Sequence, residues 1–141
     1  MRPFNIYGPR QTGEGCISNF CTNLLAGKPI EIYGDGKDIR AWCYVSDVVE
    51  AVRRILDTPA SAGKTFNIGN PNQAPTTAEL ARLLLRIHGG GEIRHVPTSH
   101  NSIPIRIPDI TLARTVLGFE PRVDLEEGLS RTLHWFREVQ R

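Results

Sequence analysis

Between Arg2 and Asp47 the chain alternates short apolar runs with one amphipathic segment, and this alternation limits its fold more than any other feature. Pro3-Phe4-Asn5-Ile6-Tyr7 reads as a strand stopped by the turn signal Gly8-Pro9. From Cys16 onward, Ile17, Phe20, Cys21, Leu24 and Leu25 recur at helical spacing until Gly27 ends the pattern. Ile30 to Tyr33 is strand-like again, closed by Gly34-Asp35-Gly36, and Arg40 opens a third such run.

The remainder repeats the theme. Asp47 reads as the N-cap of a helix whose buried face is Val48, Val49, Val52, Ile55 and Leu56. Thr65 to Ile68 is a short strand turned by Gly69-Asn70-Pro71. Thr76 and Glu79 form a capping box before the apolar stripe Leu80, Leu83, Leu84 and Ile87, and Gly89-Gly90-Gly91 ends that helix. Glu92 to Val96 is a strand, and Thr98 to Ile107 a polar connection carrying Arg106. Asp109 caps a short helix that ends at Gly118. Asp124 with Glu127 opens a last helix, with Leu125, Leu129, Thr132, Leu133 and Phe136 facing inward. Capped helices alternating with short strands predict an α/β unit over residues 1–141, packed mostly through its helices.

Several polar residues fall where a ligand could meet them. An asparagine inside a strand needs a partner for its amide, and Arg10 and Arg40 stand on adjoining loops. Arginine pairs phosphate oxygens in a bidentate way. Two readings stay open on the residues alone: an anion site, or a satisfied turn with solvated surface charge. The first turn of the Cys16 helix, with Ser18 and Asn19, could likewise offer free N–H groups to an anion or simply cap itself.

Net charge of +2 is too mild to argue for nucleic acid or membrane as a partner. Cys16, Cys21 and Cys43 are odd in number and lack metal-ligand spacing, which suits reduced thiols, and His88, His95, His100 and His134 show no ligand pattern. No apolar run is long enough for a membrane span, so a soluble, cytoplasmic protein is expected.

The run Arg2-Pro3-Phe4-Asn5-Ile6-Tyr7-Gly8-Pro9-Arg10, with Tyr33-Gly34-Asp35-Gly36, Arg40 and Tyr44-Val45-Ser46-Asp47, resembles the extended short-chain dehydrogenase/reductases. These include the NAD-dependent nucleotide-sugar epimerases, dehydratases and decarboxylases. Phe66-Asn67-Ile68-Gly69-Asn70-Pro71, Arg106-Ile107-Pro108-Asp109-Ile110, Leu117-Gly118-Phe119-Glu120-Pro121 and Leu125-Glu126-Glu127-Gly128-Leu129 continue the resemblance in order over nearly the whole chain. The wording is similar to that of the UDP-glucuronate decarboxylase-like members and their epimerase relatives. The loop Gln11 to Cys16 departs from the decarboxylase pattern, being shorter and lacking a basic residue before the helix, which leaves epimerase and dehydratase open.

The resemblance implies the C-terminal part of an extended Rossmann fold, without the N-terminal NAD-binding half. Nothing in the chain resembles the family's glycine-rich phosphate turn. The one Tyr-x-x-x-Lys spacing, Tyr33 to Lys37, encloses Gly34 and Gly36, so a helix cannot place the two on one face. It further implies a nucleotide-diphosphate sugar as ligand, NAD held mainly by the other half, and a homodimeric parent enzyme. By resemblance, Arg40 and Arg106 meet the diphosphate with Arg10 near the mouth, and Asn5 meets diphosphate or sugar. Ile17 and Ser18 line the entry turn, Glu31 and Tyr33 bracket the nucleoside, Asn67 closes the pocket, and Pro3, Phe4 and Ile6 face the nicotinamide. Asp47 is expected to be structural. A non-catalytic nucleotide-sugar-binding or interaction module, or an inactive remnant, is the alternative.

Overall fold

A computed structural model describes residues 1–11, 15–99 and 103–139. Thr12, Gly13 and Glu14 of the loop before the first helix, and His100 to Ser102, lie outside the described residues. In chain order the elements are β1 (Arg2–Pro3), β2 (Ile6–Tyr7), α1 (Cys16–Leu25), β3 (Ile30–Tyr33), β4 (Ile39–Arg40), β5 (Cys43–Tyr44), α2 (Val45–Asp57), β6 (Asn67–Ile68), α3 (Thr77–His88), β7 (Ile93–Val96), β8 (Ile105–Arg106), α4 (Thr111–Leu117) and α5 (Leu125–Val139), with a 3-10 turn at Pro59–Ser61.

The strands pair as four parallel ladders: β1 with β6, β2 with β5, β3 with β7 and β4 with β8. Parallel neighbours need crossover connections, and the helices supply them. The run read as one strand from Pro3 to Tyr7 is two, because the backbone breaks at Phe4-Asn5 and changes partner. Asn5 makes the break by adopting φ 36°, a left-handed conformation that asparagine tolerates better than most residues. Its Nδ2 donates to the Ala41 carbonyl at 2.8 Å, and its own carbonyl accepts from the Cys43 amide at 3.1 Å. One residue therefore bends the chain and ties it to the segment entering β5. The segment Thr98 to Ile107, read as a connection, contains the short strand β8.

Two clusters form the core. The larger packs Tyr7, Trp42 and Tyr44 with apolar faces of α1, β3, α3 and α5; the smaller gathers Phe66, Ile68, Ile110, Leu117 and Phe119 around α2 and α4. The inward residues of α5 are buried as expected, and the Thr76–Glu79 capping box is present with both reciprocal bonds, at 3.1 and 2.8 Å. Gly89 closes α3 in the left-handed conformation.

Three helix starts differ from expectation. Tyr44, not Asp47, is the N-cap of α2; Asp47 lies in the first turn, 6% exposed, and its Oδ2 accepts from the Val123 amide at 3.1 Å. The α2 residues in the core are Val48 and Ala51, while Val49 and Leu56 are 63% and 80% exposed. These apolar positions form one stripe at helical spacing, but the core meets only its Val48–Ile55 edge, on the side of Ala51, so Val49 and Leu56 face outward. Asp109 stands one residue before the N-cap Ile110 of α4, and its Oδ1 accepts from the Thr111 amide at 2.8 Å. Asp124 makes the same short loop to the Glu126 amide at 2.8 Å, while Glu127 pairs with Arg131 instead of completing a box.

Candidate functional site

Two cavities meet beside the start of α1. The larger, about 520 Å³, is lined by Asn19, Phe20 and Asn23 of α1 and by Glu31, Ile32 and Tyr33 of β3. The smaller, about 300 Å³, is lined by Asn5, Ile6, Gln11, Arg40 and Trp42. Gly15, Cys16 and Thr77 belong to both walls, so the two share a border there. The sequence dictates this border. Gly15 ends the loop, Cys16 opens α1, and Thr77 opens α3 behind its capping box.

Arg40 enters the smaller cavity from β4 with its side chain 16% exposed. Its guanidinium donates to the Ile39 carbonyl at 2.9 Å and lies 3.4 Å from both the Pro104 carbonyl and Asp38 Oδ2. These bonds fix the head group while leaving a charge next to the cavity. Burial pushes the Cys16 thiol up to about 12, and the Arg40 charge acts against that rise. Cys16 is therefore a neutral wall residue at physiological pH, not a nucleophile. On the adjoining strand, Arg106 stands in direct register with Arg40 and is exposed. None of the ion pairs among the described residues uses Arg106 or Arg10. Arg10 holds a left-handed backbone, φ 65°, in the turn after β2.

In the larger cavity Glu31 is committed to Arg94, its register partner on β7, while Tyr33 at the end of β3 is 65% exposed. The structure thus brings Asn5, Ile6 and Arg40 to one chamber and Glu31 with Tyr33 to the other. It leaves Ile17 and Ser18 off both walls. Ile17 is wholly in the core, and the Ser18 hydroxyl donates to the Gly15 carbonyl at 2.9 Å. Asn67 Nδ2 donates to the Asp109 carbonyl at 3.0 Å, tying β6 to the approach of α4. Pro3 is exposed on β1 and Phe4 half-buried, its amide donating to the Ile68 carbonyl. Sequence reasoning passed over Gln11, Cys16, Asn19, Asn23, Trp42 and Thr77 as lining residues. Only Asn19 carried a signal, as a polar residue in the first helical turn.

Tyr33 closes β3, Gly34 and Gly36 follow at φ 79° and 73°, and Lys37 Nζ lies 3.4 Å from Asp35. The Tyr-x-x-x-Lys spacing is thus a strand end and a turn. Among the described residues no group of His, Cys, Asp and Glu could hold a metal ion.

Residues 1–69 match the model of the NAD dependent epimerase/dehydratase family. Over that stretch the chain is similar to the family. It is 39% identical over 140 residues to UDP-glucuronic acid decarboxylase 1 of Xenopus tropicalis, covering 97% of this chain and 32% of that protein. It is 38% identical over 136 residues to a dTDP-glucose 4,6-dehydratase of Streptomyces niveus, covering 95% of this chain and 40% of that protein. The crystal structure of a UDP-glucose 4-epimerase from Thermotoga maritima, solved with UDP-glucose, superposes with a TM-score of 0.92 at 37% identity, covering 99% of this chain and 46% of that one. The chain thus spans less than half the length of the relatives it matches, and its fold is a part of their extended Rossmann architecture.

Proposed function

We propose that this chain is the part of an NAD-dependent nucleotide-sugar epimerase, dehydratase or decarboxylase that grips a UDP- or dTDP-sugar. The observation that carries the reading is the pair of bordering cavities, one presenting the end of β3 and the other presenting Asn5 and Arg40. A nucleoside in the larger chamber places its diphosphate at Gly15-Cys16, within reach of Arg40 and of Arg106 beside it. Arginines from two strands match a ligand with several anionic oxygens. Asn5 stands where phosphate meets sugar, with one side-chain nitrogen already committed to Ala41.

NAD, when bound, accepts and often returns a hydride of the sugar, and the protein supplies orientation. The residues here fit such a group only at its edge: Phe4 and Ile6 offer apolar surface beside the smaller cavity, with Pro3 on the exposed strand. Binding of the cofactor's phosphates falls to other parts of the parent enzyme. The chain's own task is to hold the nucleotide still, so that the sugar projects past Asn5 in one orientation. Turnover needs a base and a cofactor turn that these residues do not form, so the chain alone is a binding unit.

Calorimetric titration tests this. The chain is expected to bind UDP and UDP-glucose, to bind NAD not at all, and to convert no UDP- or dTDP-sugar when NAD is added. Absence of UDP binding removes the reading. Turnover that Tyr33→Phe abolishes overturns the assignment of that residue to a strand-end role.

A further inference from the structure

Arg40, the cation on the wall of the smaller cavity, already meets an anion of the chain's own. Asp38 Oδ2 lies 3.4 Å from its Nη2, and the carboxylate and guanidinium side chains are 35% and 16% exposed. Asp38 lines neither cavity, so its carboxylate meets the guanidinium from outside the chamber. Its place is set by α3. The Asp38 carbonyl accepts from the Thr77 amide at 3.0 Å, and the Gly36 carbonyl accepts from the Ala78 amide at 3.0 Å. The turn between β3 and β4 thus covers the first N–H groups of α3, and Asp38 stays where that contact puts it.

A carboxylate beside an arginine can orient the guanidinium or offset its charge. Orientation is supplied without Asp38. Arg40 Nη1 donates to the Ile39 carbonyl at 2.9 Å and lies 3.4 Å from the Pro104 carbonyl, so the head group keeps its place when the carboxylate is removed. Those carbonyls carry no formal charge, and a negative charge is what Asp38 alone brings. The nearby acids Asp35 and Glu31 are paired with Lys37 and Arg94. An ionised diphosphate at Arg40 therefore meets a cation that is partly neutralised, with a like charge on the far side of the same guanidinium.

We propose that Asp38 is an internal counter-ion that sets how tightly the cavity grips a diphosphate, holding the affinity below what Arg40 alone would give. The inference rests on the nucleotide-sugar reading above. Substrate and product of such a reaction carry the same diphosphate, and too tight a grip on it delays the exchange of one for the other. Asp38 loosens that grip for both alike and leaves the hold on the nucleoside untouched.

The test is a calorimetric titration of the full 141-residue chain with UDP and with uridine, using wild type, Asp38→Asn, Asp38→Glu, Arg40→Ala and the double variant Asp38→Asn with Arg40→Ala. Asparagine keeps the size and an acceptor but removes the charge, whereas glutamate keeps the charge. The pair is partly solvent-screened, so Asp38→Asn is expected to bind UDP about two- to tenfold more tightly, with uridine unchanged. Asp38→Glu is expected to stay near the wild-type affinity for UDP. In the Arg40→Ala background the effect of Asp38→Asn is expected to disappear, because the charge it offsets is gone. Weaker or unchanged UDP binding in Asp38→Asn overturns the proposal and makes the carboxylate a support for Arg40 or a bystander. Equal tightening by Asp38→Glu, or tightening that persists without Arg40, overturns it as well. Failure of the wild-type chain to bind UDP is a separate result and sinks the underlying pocket reading.

Discussion

Arg40 and Arg106 are register partners on the parallel strands β4 and β8, their chains locked by the Ala41 amide donating to the Arg106 carbonyl at 3.0 Å. Register partners on parallel strands leave the ladder on the same face, so both positive charges belong to one side of it. Asp38 pairs with Arg40, and in the proposed reading a polyanionic ligand engages both arginines. Each charge-assisted bond contributes about 1.5–3 kcal/mol, so Arg40→Ala or Arg106→Ala should weaken UDP binding by roughly ten- to a hundredfold. In the proposed parent enzyme, NAD retention should be unchanged. Wild-type UDP affinity in both variants, read by calorimetry, would reduce the two arginines to surface charge.

Gly128→Ala should destabilise the fold, although an alanine is normally the better helix residue. Tyr7 is 2% exposed and reaches across to α5, its hydroxyl donating to the Leu125 carbonyl at 3.4 Å. A Cβ on Gly128 would fall 2.1 Å from that hydroxyl oxygen and 3.0 Å from the Tyr44 ring. Tyr7 is also held edge-on by Trp42 and Tyr44, so it has no room to retreat. Overpacking of this kind costs about 1–3 kcal/mol, and urea denaturation should show the loss. A gain in stability would mean that the ring moves aside freely.

Exposed apolar side chains and unpaired strand edges should make the chain self-associate. Val49, Val52 and Leu56 on α2 are exposed together with Leu112 on α4, and β1 pairs only with β6 among the described strands. Parallel strands are normally covered on both sides. Sedimentation at rising protein concentration should show oligomers, and Val52→Lys with Leu56→Lys should reduce them. A monomer at every concentration would remove this expectation.

The sequence revealed those parts of the fold whose signals are local. The Thr76–Glu79 box, the α5 stripe and the Gly89 and Gly118 helix ends each depend on a few neighbouring residues, and each is present. Asp47 misled because its type suits an N-cap, yet its partner is the amide of Val123, distant in sequence and invisible to local pattern. The face of α2 misled because Val48, Val49, Val52, Ile55 and Leu56 do form one stripe, yet the core meets its Val48–Ile55 edge beside Ala51 and not its centre, an offset that periodicity alone does not show. In the candidate site, Asn5 and Arg40 were legible as polar residues next to strand-like runs. Cys16, Thr77 and Gln11 were not, since their place in the cavity wall depends on how α1, α3 and the β2 turn converge.

The last expectation concerns alkaline pH. Burial pushes the thiols of Cys16, Cys21 and Cys43 from an ordinary value of 9.0 up to about 12, and it raises the Tyr7 hydroxyl as well. The neutral form of each group is the one the fold accepts. In the unfolded chain the thiols ionise near their ordinary value, while in the native chain they stay protonated well above it. The native state therefore binds more protons through this range, and stability falls as pH rises. The contribution is complete below pH 9.0 and is lost progressively between that value and about 12. Thermal denaturation across this window should show a falling midpoint. Replacing Cys21, the thiol wholly buried within α1, by alanine should flatten the slope while lowering stability at neutral pH through the cavity it leaves. A midpoint level from pH 9 to 12 in the wild-type chain would show that these groups ionise as easily in the fold as outside it.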